Sequence, residues 1–544
     1  MTENSEKIRF WINGEALFTE LGTTVSNLLK KSHGVEMPCG GRHACGKCMV
    51  YAEGSFAAPS ETEQKLLGAE RLAQGIRLAC FLEAVPDGKI DALRQEADGD
   101  ETICVSTPSA EDVPDARLYR YLGAAVDIGT TTIAAVLYRE GRAVGTMGAW
   151  NPQSVFGADV VSRMEASLEG KADKLAAIVR EAVSHLLTEL AEHAGERTEA
   201  IETVIITGNT SMLYFLTQKD PRCLSRAPFE ADELFGWWTT GEALDLSCRK
   251  ADVYLPRCMS AFVGADITTA ILGSGLTETD CIPGTDGSRK EAAAAIDPNV
   301  SCRETDGVSA THSGKSRMMV DVGTNGEIVL FHKERLICCA TAAGPAFEGA
   351  GLSCGMRGVA GAIDHVSWEN GSWKVHVIGD REASTAEGIC GSGVIDGVAG
   401  LLESGLLEDT GYLEEDVCFA GNVGLTAADI REVQLAKGAI RAGMETLLAE
   451  EKMDAAGLEG LYVAGGFGSY MSAKSAERIG LFPKIDLSRI KICGNAALAG
   501  AVKILHNRRM EKEATALAER AKTINLGTSA KFQEFYMEYM MFDE

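Results

Sequence analysis

Apolar and polar side chains alternate over residues 7–19, Lys-Ile-Arg-Phe-Trp-Ile-Asn-Gly-Glu-Ala-Leu-Phe-Thr, on either side of Asn13-Gly14. A period of two predicts half-buried strands, and Asn-Gly between them predicts a tight hairpin. Thr24 stands where it can cap a helix reaching Lys31, and Met49–Glu53 reads as a strand. Ser60-Glu61-Thr62-Glu63 has the form of a capping box for a short helix ending near Gly68. Residues 76–81 read as a further strand, and this first unit, 1–93, closes near Leu93. Periodicity then disappears. Residues 95–117 are rich in Asp, Glu, Ser and Pro, which predicts an acidic linker over 94–119.

From residue 120 the pattern occurs twice. Ala124-Ala-Val-Asp127-Ile-Gly129-Thr130-Thr131-Thr132-Ile-Ala-Ala-Val-Leu matches Met318-Met-Val-Asp321-Val-Gly323-Thr324-Asn325-Gly326-Glu327-Ile-Val-Leu. Further on, Val204-Ile-Ile-Thr-Gly208-Asn209-Thr210 answers Leu461-Tyr-Val-Ala-Gly465-Gly466-Phe467-Gly468. Ser260-Ala-Phe-Val-Gly264-Ala265-Asp266 answers Lys491-Ile-Cys-Gly494-Asn495-Ala-Ala-Leu, each running into a helical pattern. Amphipathic helices are predicted at 174–194 and 429–451, between the first and second marks of each copy. Each half, 120–276 and 318–544, therefore reads strand, strand, strand, helix, strand, helix, strand, helix, and two such halves facing each other enclose a cleft. Residues 277–317 lack apolar periodicity and carry Gly, Ser, Asp and Pro, which predicts a mobile insertion in which Cys302 and His312 are incidental. The expected fold class is multidomain α/β: a small α+β unit followed by a duplicated α/β domain.

A composition of 45% hydrophobic and 24% charged residues is that of a water-soluble globular chain, and no apolar run reaches the ~18 residues of a membrane span. The net charge of −26 argues against a nucleic-acid partner, since phosphate binding wants a basic surface. A protein partner or a small ligand remains. Cysteines such as Cys338-Cys339 fall in apolar runs and read as reduced core residues, which with the absence of a secretory pattern suggests a cytoplasmic, anaerobic setting.

Cys39, Cys45 and Cys48, completed by Cys80, have the order of a plant-type ferredoxin. Each iron of a 2Fe-2S cluster needs two thiolates, and a tight loop can supply three while the last returns from a distant strand. Zinc would favour two closely spaced pairs, and a disulfide set would favour a secreted chain. Rieske ligation would replace two cysteines by histidines, so His43 is expected to face solvent. With this ligand set the first unit has the order of a ferredoxin-like β-grasp domain.

An apolar strand ending in Asp-x-Gly-Thr and turning into a second strand predicts a phosphate-holding hairpin. Backbone N–H groups and hydroxyls approach the phosphate, and the aspartate can hold hydrated Mg²⁺. The two copies place Asp127, Gly129, Thr130, Thr131 and Thr132 in one half and Asp321, Gly323, Thr324, Asn325, Gly326 and Glu327 in the other, with Asn209 beside the first. Gly465, Gly466, Phe467 and Gly468 suit close approach to adenosine. Neither a Walker A sequence nor a Rossmann fingerprint is present. Asp266 is open to two readings, a catalytic base or the N-cap of its helix.

These residues resemble the acetate and sugar kinase, heat-shock cognate and actin superfamily. Asp127–Thr132 looks like its first phosphate motif, 321–327 like its second and 463–468 like its adenosine motif, and the likeness implies ribonuclease-H-like halves. Together with the N-terminal cysteines, Ala343-Gly-Pro-Ala-Phe-Glu-Gly-Ala350, Glu387-Gly-Ile-Cys-Gly-Ser-Gly393 and Ala436-Lys-Gly-Ala-Ile440, the chain resembles the reductive activators of corrinoid proteins. The resemblance implies an ATP-hydrolysing electron donor carrying a 2Fe-2S cluster and using Mg²⁺. Such a donor returns the Co(II) corrinoid of a methyltransferase corrinoid protein to Co(I), and is recharged by a low-potential donor such as a ferredoxin or flavodoxin. It leaves room for a homodimer. The short joining stretch implies that a middle segment of some members is missing, and no cysteine follows Cys493 to form a C-terminal cluster site. Two other functions fit a ferredoxin fused to an ATPase: electron donation to a different low-potential metalloenzyme, or a small-metabolite kinase.

Overall fold

In Lys7–Ile12 (β1), Ile8, Phe10 and Ile12 point inward while their neighbours face solvent, so the alternation read from the sequence is the pleat of a real strand. The computed structural model describes residues 7–12, 15–29, 43, 48–92, 107–108, 113–278, 316–379, 381–465 and 471–542. β1 pairs antiparallel with Glu15–Glu20 (β2), Ile12 facing Glu15 across the expected turn, whose own two residues lie outside the described ones. Val25–Leu29 (α1), Met49–Glu53 (β3), Glu61–Ala73 (α2), Ile76–Leu78 (β4) and Lys89–Ala92 (β5) complete the unit. Its five-stranded sheet has the order β2-β1-β5-β3-β4, with β1 and β5 parallel. Phe10, Val50, Leu78 and Leu82 fill its own small core.

Two expectations in this unit are corrected. The helix α2 does not end at Gly68. It breaks there, at φ 76° and ψ 163°, and resumes to Ala73. Nor does Glu63 close a capping box, although Ser60 Oγ accepts from its N–H at 3.2 Å. Its buried carboxylate instead takes the Arg77 fork at 2.9 and 2.8 Å and the Leu78 N–H at 2.9 Å. A bidentate guanidinium compensates a buried carboxylate far better than one terminal backbone N–H does.

The duplicated domain opens with a meander of Leu122–Ile128 (β6), Thr132–Arg139 (β7) and Arg142–Trp150 (β8). Val160–Ala166 (α3) and Ala172–His193 (α4) follow, and the apolar stripe Leu175, Val179, Val183, Leu186, Leu187 and Leu190 packs α4 on the sheet. Each such side chain contributes about 1.5–3 kcal/mol on burial. Ile201–Gly208 (β9) lies parallel to β6. Thr210–Leu216 (α5), Arg222–Ser225 (α6), Trp237–Thr240 (β10), Asp252–Leu255 (β11) and Ala265–Ser274 (α7) finish the half, whose strand order is β10-β11-β9-β6-β7-β8.

The second half repeats the plan. Ser316–Val322 (β12), Asn325–His332 (β13) and Arg335–Ala342 (β14) form its meander. An insertion then carries Ala362–Glu369 (β15), Ser372–Val377 (β16), Gly388–Ile389 (β17), Gly391–Ser404 (α8) and the hairpin Val417–Ala420 (β18) and Val423–Leu425 (β19). Ala427–Glu450 (α9), Gly460–Ala464 (β20), Ala473–Arg478 (α10), Ile490–Gly494 (β21) and Ala496–His506 (α11) return to the common plan. Arg509–Arg520 (α12), Lys522–Thr523 (β22) and Ala530–Glu538 (α13) end the chain, and the sheet order is β21-β20-β12-β13-β14-β22. Apart from the edge strands, both sheets have one order, three antiparallel strands followed by two parallel to the first.

The halves meet through α7 and α11, which share a core containing Ile267, Ile271, Leu498, Ala501 and Val502. A Cβ on Gly500 would lie 1.8 Å from the Thr269 carbonyl oxygen, and one on Gly273 would lie 2.1 Å from that of Ala496. Only glycine lets the two backbones touch here. Most of the expected insertion, 279–315, lies outside the described residues. Its final residues belong to β12, where buried Arg317 donates to the carbonyls of Leu276 and Glu278 at 3.1 and 2.5 Å. Among the described residues no helix is long and apolar enough to cross a membrane.

Candidate nucleotide cleft and thiolate site

Asp127 and Asp321 are each the penultimate residue of the first strand of their half. The turns after them differ by one residue. Ile128 pairs with Ile133 in the first half, while Val322 pairs with Gly326 in the second. The Gly129 N–H donates to the Thr132 carbonyl at 2.9 Å, and the Gly323 N–H to that of Asn325 at 3.1 Å. A Cβ on Gly129 would stand 2.9 Å from the same Thr132 oxygen, so the first turn requires glycine. Asn151 braces this turn from behind, donating to the Gly129 carbonyl at 2.8 Å. Asn209 caps α5 by accepting from the Met212 N–H at 2.9 Å and donates to the Thr130 hydroxyl at 3.1 Å.

Glu348 joins the two turns. Its Oε1 accepts from the Thr324 N–H and hydroxyl at 2.7 and 2.9 Å, and its Oε2 from the Thr131 hydroxyl at 2.5 Å. Asn495 makes a second bridge between halves: it caps α11 through the Leu498 N–H at 2.7 Å and donates to Asp127 Oδ2 at 2.8 Å. At the rim, the Arg357 guanidinium of the second half lies over the Trp150 ring of the first, 3.9 Å from its centroid.

Four carboxylates converge between these bridges. Burial pushes Asp127 up to about 6, against the Asn495 hydrogen bond. Burial, then the charges of Asp127 and Glu348, push Asp321 up to about 7. Burial, then Asp127 and Asp321, push Asp266 up to about 8. Glu327, facing Asp321 across the β12–β13 ladder, is raised well above the carboxylate range by burial and by Asp266 and Asp321. Acids buried in this way can balance a hydrated divalent cation bound with phosphate, although among the described residues no three of them stand close enough together to hold a bare ion. Asp266 is not an N-cap. Gly264 holds that position, and Asp266 sits in the first turn of α7, accepting from the Ile267 N–H at 2.8 Å.

Gly465 has φ 96°, and a Cβ there would stand 2.6 Å from Asp321 Oδ1, so the end of β20 lies directly against the acidic cluster. Gly466, Phe467 and Gly468 lie outside the described residues. So do Cys39 and Cys45. Cys48 and Cys80 are buried with sulfurs 3.3 Å apart, close to the ~3.7 Å expected of two thiolates on one tetrahedral metal. β3 begins just after Cys48, and the 3₁₀ turn 79–81 presents Cys80. His43 is exposed, as expected, but its Nε2 is also 2.8 Å from the Cys80 carbonyl oxygen and its ring stacks on Phe81.

The structure therefore brings Asp127, Thr130, Thr131, Asn209, Asp266, Asp321, Thr324, Glu327 and Gly465 to one cleft. Glu348, Asn495 and Asn151 were not assigned from the sequence. Glu348 lay inside the glycine-rich run 343–350 already singled out, and Asn495 immediately before a helical pattern.

The family model described as the C-terminal domain of RACo, the ASKHA domain, matches residues 315–544, and that of the RACo middle region matches residues 122–279. The corrinoid activation enzyme RamQ of Eubacterium limosum is 30% identical over 460 residues, covering 78% of this chain and 70% of its own. The chain belongs to the reductive activators of corrinoid proteins. The [Co(II) methylated amine-specific corrinoid protein] reductase of Methanosarcina barkeri is also similar, 32% identical over 243 residues, 40% of this chain and 45% of its own. A solved structure of a reductive activator for corrinoid,iron-sulfur protein has the same fold, with a TM-score of 0.66, 26% identity and 98% of each chain covered. The expectation of a missing middle segment is corrected accordingly. The region the family calls its middle is present, as the first half of the duplicated domain.

Proposed function

We propose that the chain is an ATP-dependent activator that passes one electron from a 2Fe-2S cluster to the Co(II) corrinoid of a methyltransferase corrinoid protein, restoring Co(I). The observation that carries this reading is the presence, in one chain of this family, of a buried cysteine pair in a β-grasp domain and an acid-lined cleft built across two duplicated halves. Cys48 and Cys80 are spaced to share an iron, and Cys39 and Cys45 would supply the other ligands. The cluster supplies single-electron transfer at a potential near about −400 mV when bound. Asp127 and Asp321 would hold Mg²⁺ through its water shell, and the two turns would hold the phosphates of ATP.

Energy is needed because Co(I) is a strong reductant, and each 100 mV uphill costs about 2.3 kcal/mol per electron. Glu348 and Asn495 give ATP a means of supplying it. Each already ties a turn of one half to the other, so a nucleotide held by both turns favours the closed arrangement. A closed state that binds a Co(II) partner more tightly than a Co(I) one turns that preference into release after electron transfer. A separate low-potential donor, such as a ferredoxin or flavodoxin, recharges the cluster.

The test is Co(I) formation on a cognate corrinoid protein, followed by absorbance under anaerobic conditions. Co(I) is expected only with ATP and a low-potential reductant together, with ATP hydrolysis stimulated by the Co(II) partner. Equal Co(I) rates without ATP would remove the coupling. Phosphorylation of a small hydroxyl compound in place of partner-stimulated turnover would make the chain a kinase.

A further inference from the structure

The last part of the stretch expected to be a linker, residues 113–119, is laid along the end of α11 that points away from the cleft. The Arg508 N–H donates to the Ala116 carbonyl at 2.8 Å and the Leu118 N–H to that of Leu505 at 3.0 Å. The Arg508 guanidinium reaches the Arg117 carbonyl at 3.3 Å, and the Thr203 hydroxyl, on β9 of the first half, donates to that of Leu118 at 2.7 Å. Earlier in the chain, the Pro108 carbonyl accepts from the Tyr138 hydroxyl of β7 at 2.5 Å. An acidic, Ser- and Pro-rich tether whose sole duty was reach would stay solvated. This one is fastened to elements of both halves before it enters β6.

A further fastening joins Tyr119 to His506, and both are buried. His506 Nδ1 lies 2.9 Å from the Val502 carbonyl oxygen, which can only accept, so the ring proton is on Nδ1. Nε2 is then an acceptor and takes the Tyr119 hydroxyl at 3.2 Å. The same hydroxyl accepts from the Gly141 N–H, between β7 and β8, at 3.2 Å, and the Tyr138 ring stands nearly perpendicular to the imidazole with centroids 4.4 Å apart. Tyr119 and Tyr138 belong to the core that α7 and α11 share. The eleven residues of α11 make a rod of about 16 Å at about 1.5 Å per residue. Its first end stands in the cleft, where Asn495 donates to Asp127, and its last end holds the root of the tether. A hydrated cation on Asp127 would compete with Asn495 for that carboxylate, so a change in the cleft bears on the same rod.

We infer that Tyr119 and His506 are positioning residues for electron transfer: they root the tether of the β-grasp unit on α11, so that the state of the cleft sets where the cluster can be carried. The inference rests on the reading of the chain as an ATP-gated electron donor. In the step it serves, Co(II) gains one electron and becomes Co(I), the electron coming from the reduced cluster, and neither Tyr119 nor His506 gains or loses a proton or an electron. Their contribution is geometric. A tether rooted away from the joint would let the unit wander without regard to nucleotide, whereas one rooted on α11 passes on any tilt of that helix.

The experiment compares the wild-type full chain with Tyr119→Phe, His506→Asn and His506→Gln. The first removes only a hydroxyl, the second keeps a donor near the Nδ1 position, and the third keeps an acceptor near that of Nε2. Tyr119→Phe and His506→Asn should lower the Co(I) formed per ATP hydrolysed on a cognate corrinoid protein by about tenfold or more, with basal ATP hydrolysis and reduction of a small soluble dye by the cluster within about twofold. His506→Gln should recover most of that yield. In the wild type, a non-hydrolysable ATP analogue with Mg²⁺ should change amide hydrogen exchange over residues 113–121 by about threefold or more in rate, which a merely structural contact would not do. A folded Tyr119→Phe chain with an unchanged yield per ATP overturns the inference, as does a yield that falls only in step with the melting temperature, a His506→Gln chain no better than His506→Asn, or exchange that ignores the nucleotide. If the His506 variants do not fold, Tyr119→Phe and the exchange measurement decide. A wild-type chain that forms Co(I) equally well without ATP brings down the gated-donor reading and this inference with it. ATP-dependent Co(I) formation that none of the variants disturbs brings down the inference alone.

Discussion

At the scale of single residues, the cleft is organised by carboxylates whose burial, more than their mutual repulsion, resists ionisation. Burial, joined at the last two by neighbouring charges, pushes Asp127, Asp321 and Asp266 up to about 6, 7 and 8. Their folded values lie above those of an unfolded chain, so between about pH 4 and pH 8 the native state binds more protons, and stability falls as pH rises. Metal-free protein should therefore melt at a lower temperature at pH 8 than at pH 5.5, and Mg²⁺ with nucleotide should narrow the difference, as thermal melts at both pH values would show. Cation binding should strengthen from pH 6 to pH 8 and release protons, which calorimetry in buffers of different ionisation enthalpy detects. Asp127→Ala and Asp321→Ala should each lower Mg-ATP turnover by more than about tenfold with the visible spectrum of the cluster intact. These aspartates were legible in the sequence because each ends a repeated apolar strand. Glu348 and Asn495 were not, because a glutamate in a glycine-rich loop and an asparagine before a helix have ordinary local uses. What they do here depends on partners 217 and 368 residues away.

The elements show the same division. The meanders, the long helices α4 and α9 and the parallel strands were readable because burial imposes a period on them, and each copy of the duplication supports the other. Local signals were weaker guides. Ser60 and Glu63 have capping-box spacing, but Arg77, brought alongside by β4, takes the glutamate. The insertion between β14 and α9 left no clear period to read, since α8 is buried on nearly every side and β15 and β16 mix buried with half-exposed positions. What no pattern could reveal was the contact of α7 with α11, where Thr269 and Gly500 meet backbone to side-chain position. Gly500→Val should force these helices apart, lowering the melting temperature and ATP turnover together, whereas the exposed change Lys512→Ala on α12 should move neither. Differential scanning fluorimetry and a coupled ATPase assay measure both.

For the whole molecule, the cores of the β-grasp unit and of the duplicated domain are separate clusters, so their chemistries should be separable by mutation. Cys48→Ser or Cys80→Ser should abolish the 2Fe-2S spectrum and Co(I) formation while leaving basal ATP hydrolysis within about twofold. Iron and sulfide analysis of anaerobically purified protein, beside the ATPase rate, would check this. The contact of α7 and α11 has a mechanical consequence. Two backbones in direct touch leave no layer of side chains to shear, so the joint can turn but hardly slide. A rotation of either half about this joint would be magnified at the rim, where Arg357 meets Trp150. A corrinoid partner resting on that rim would feel the full stroke of each turnover.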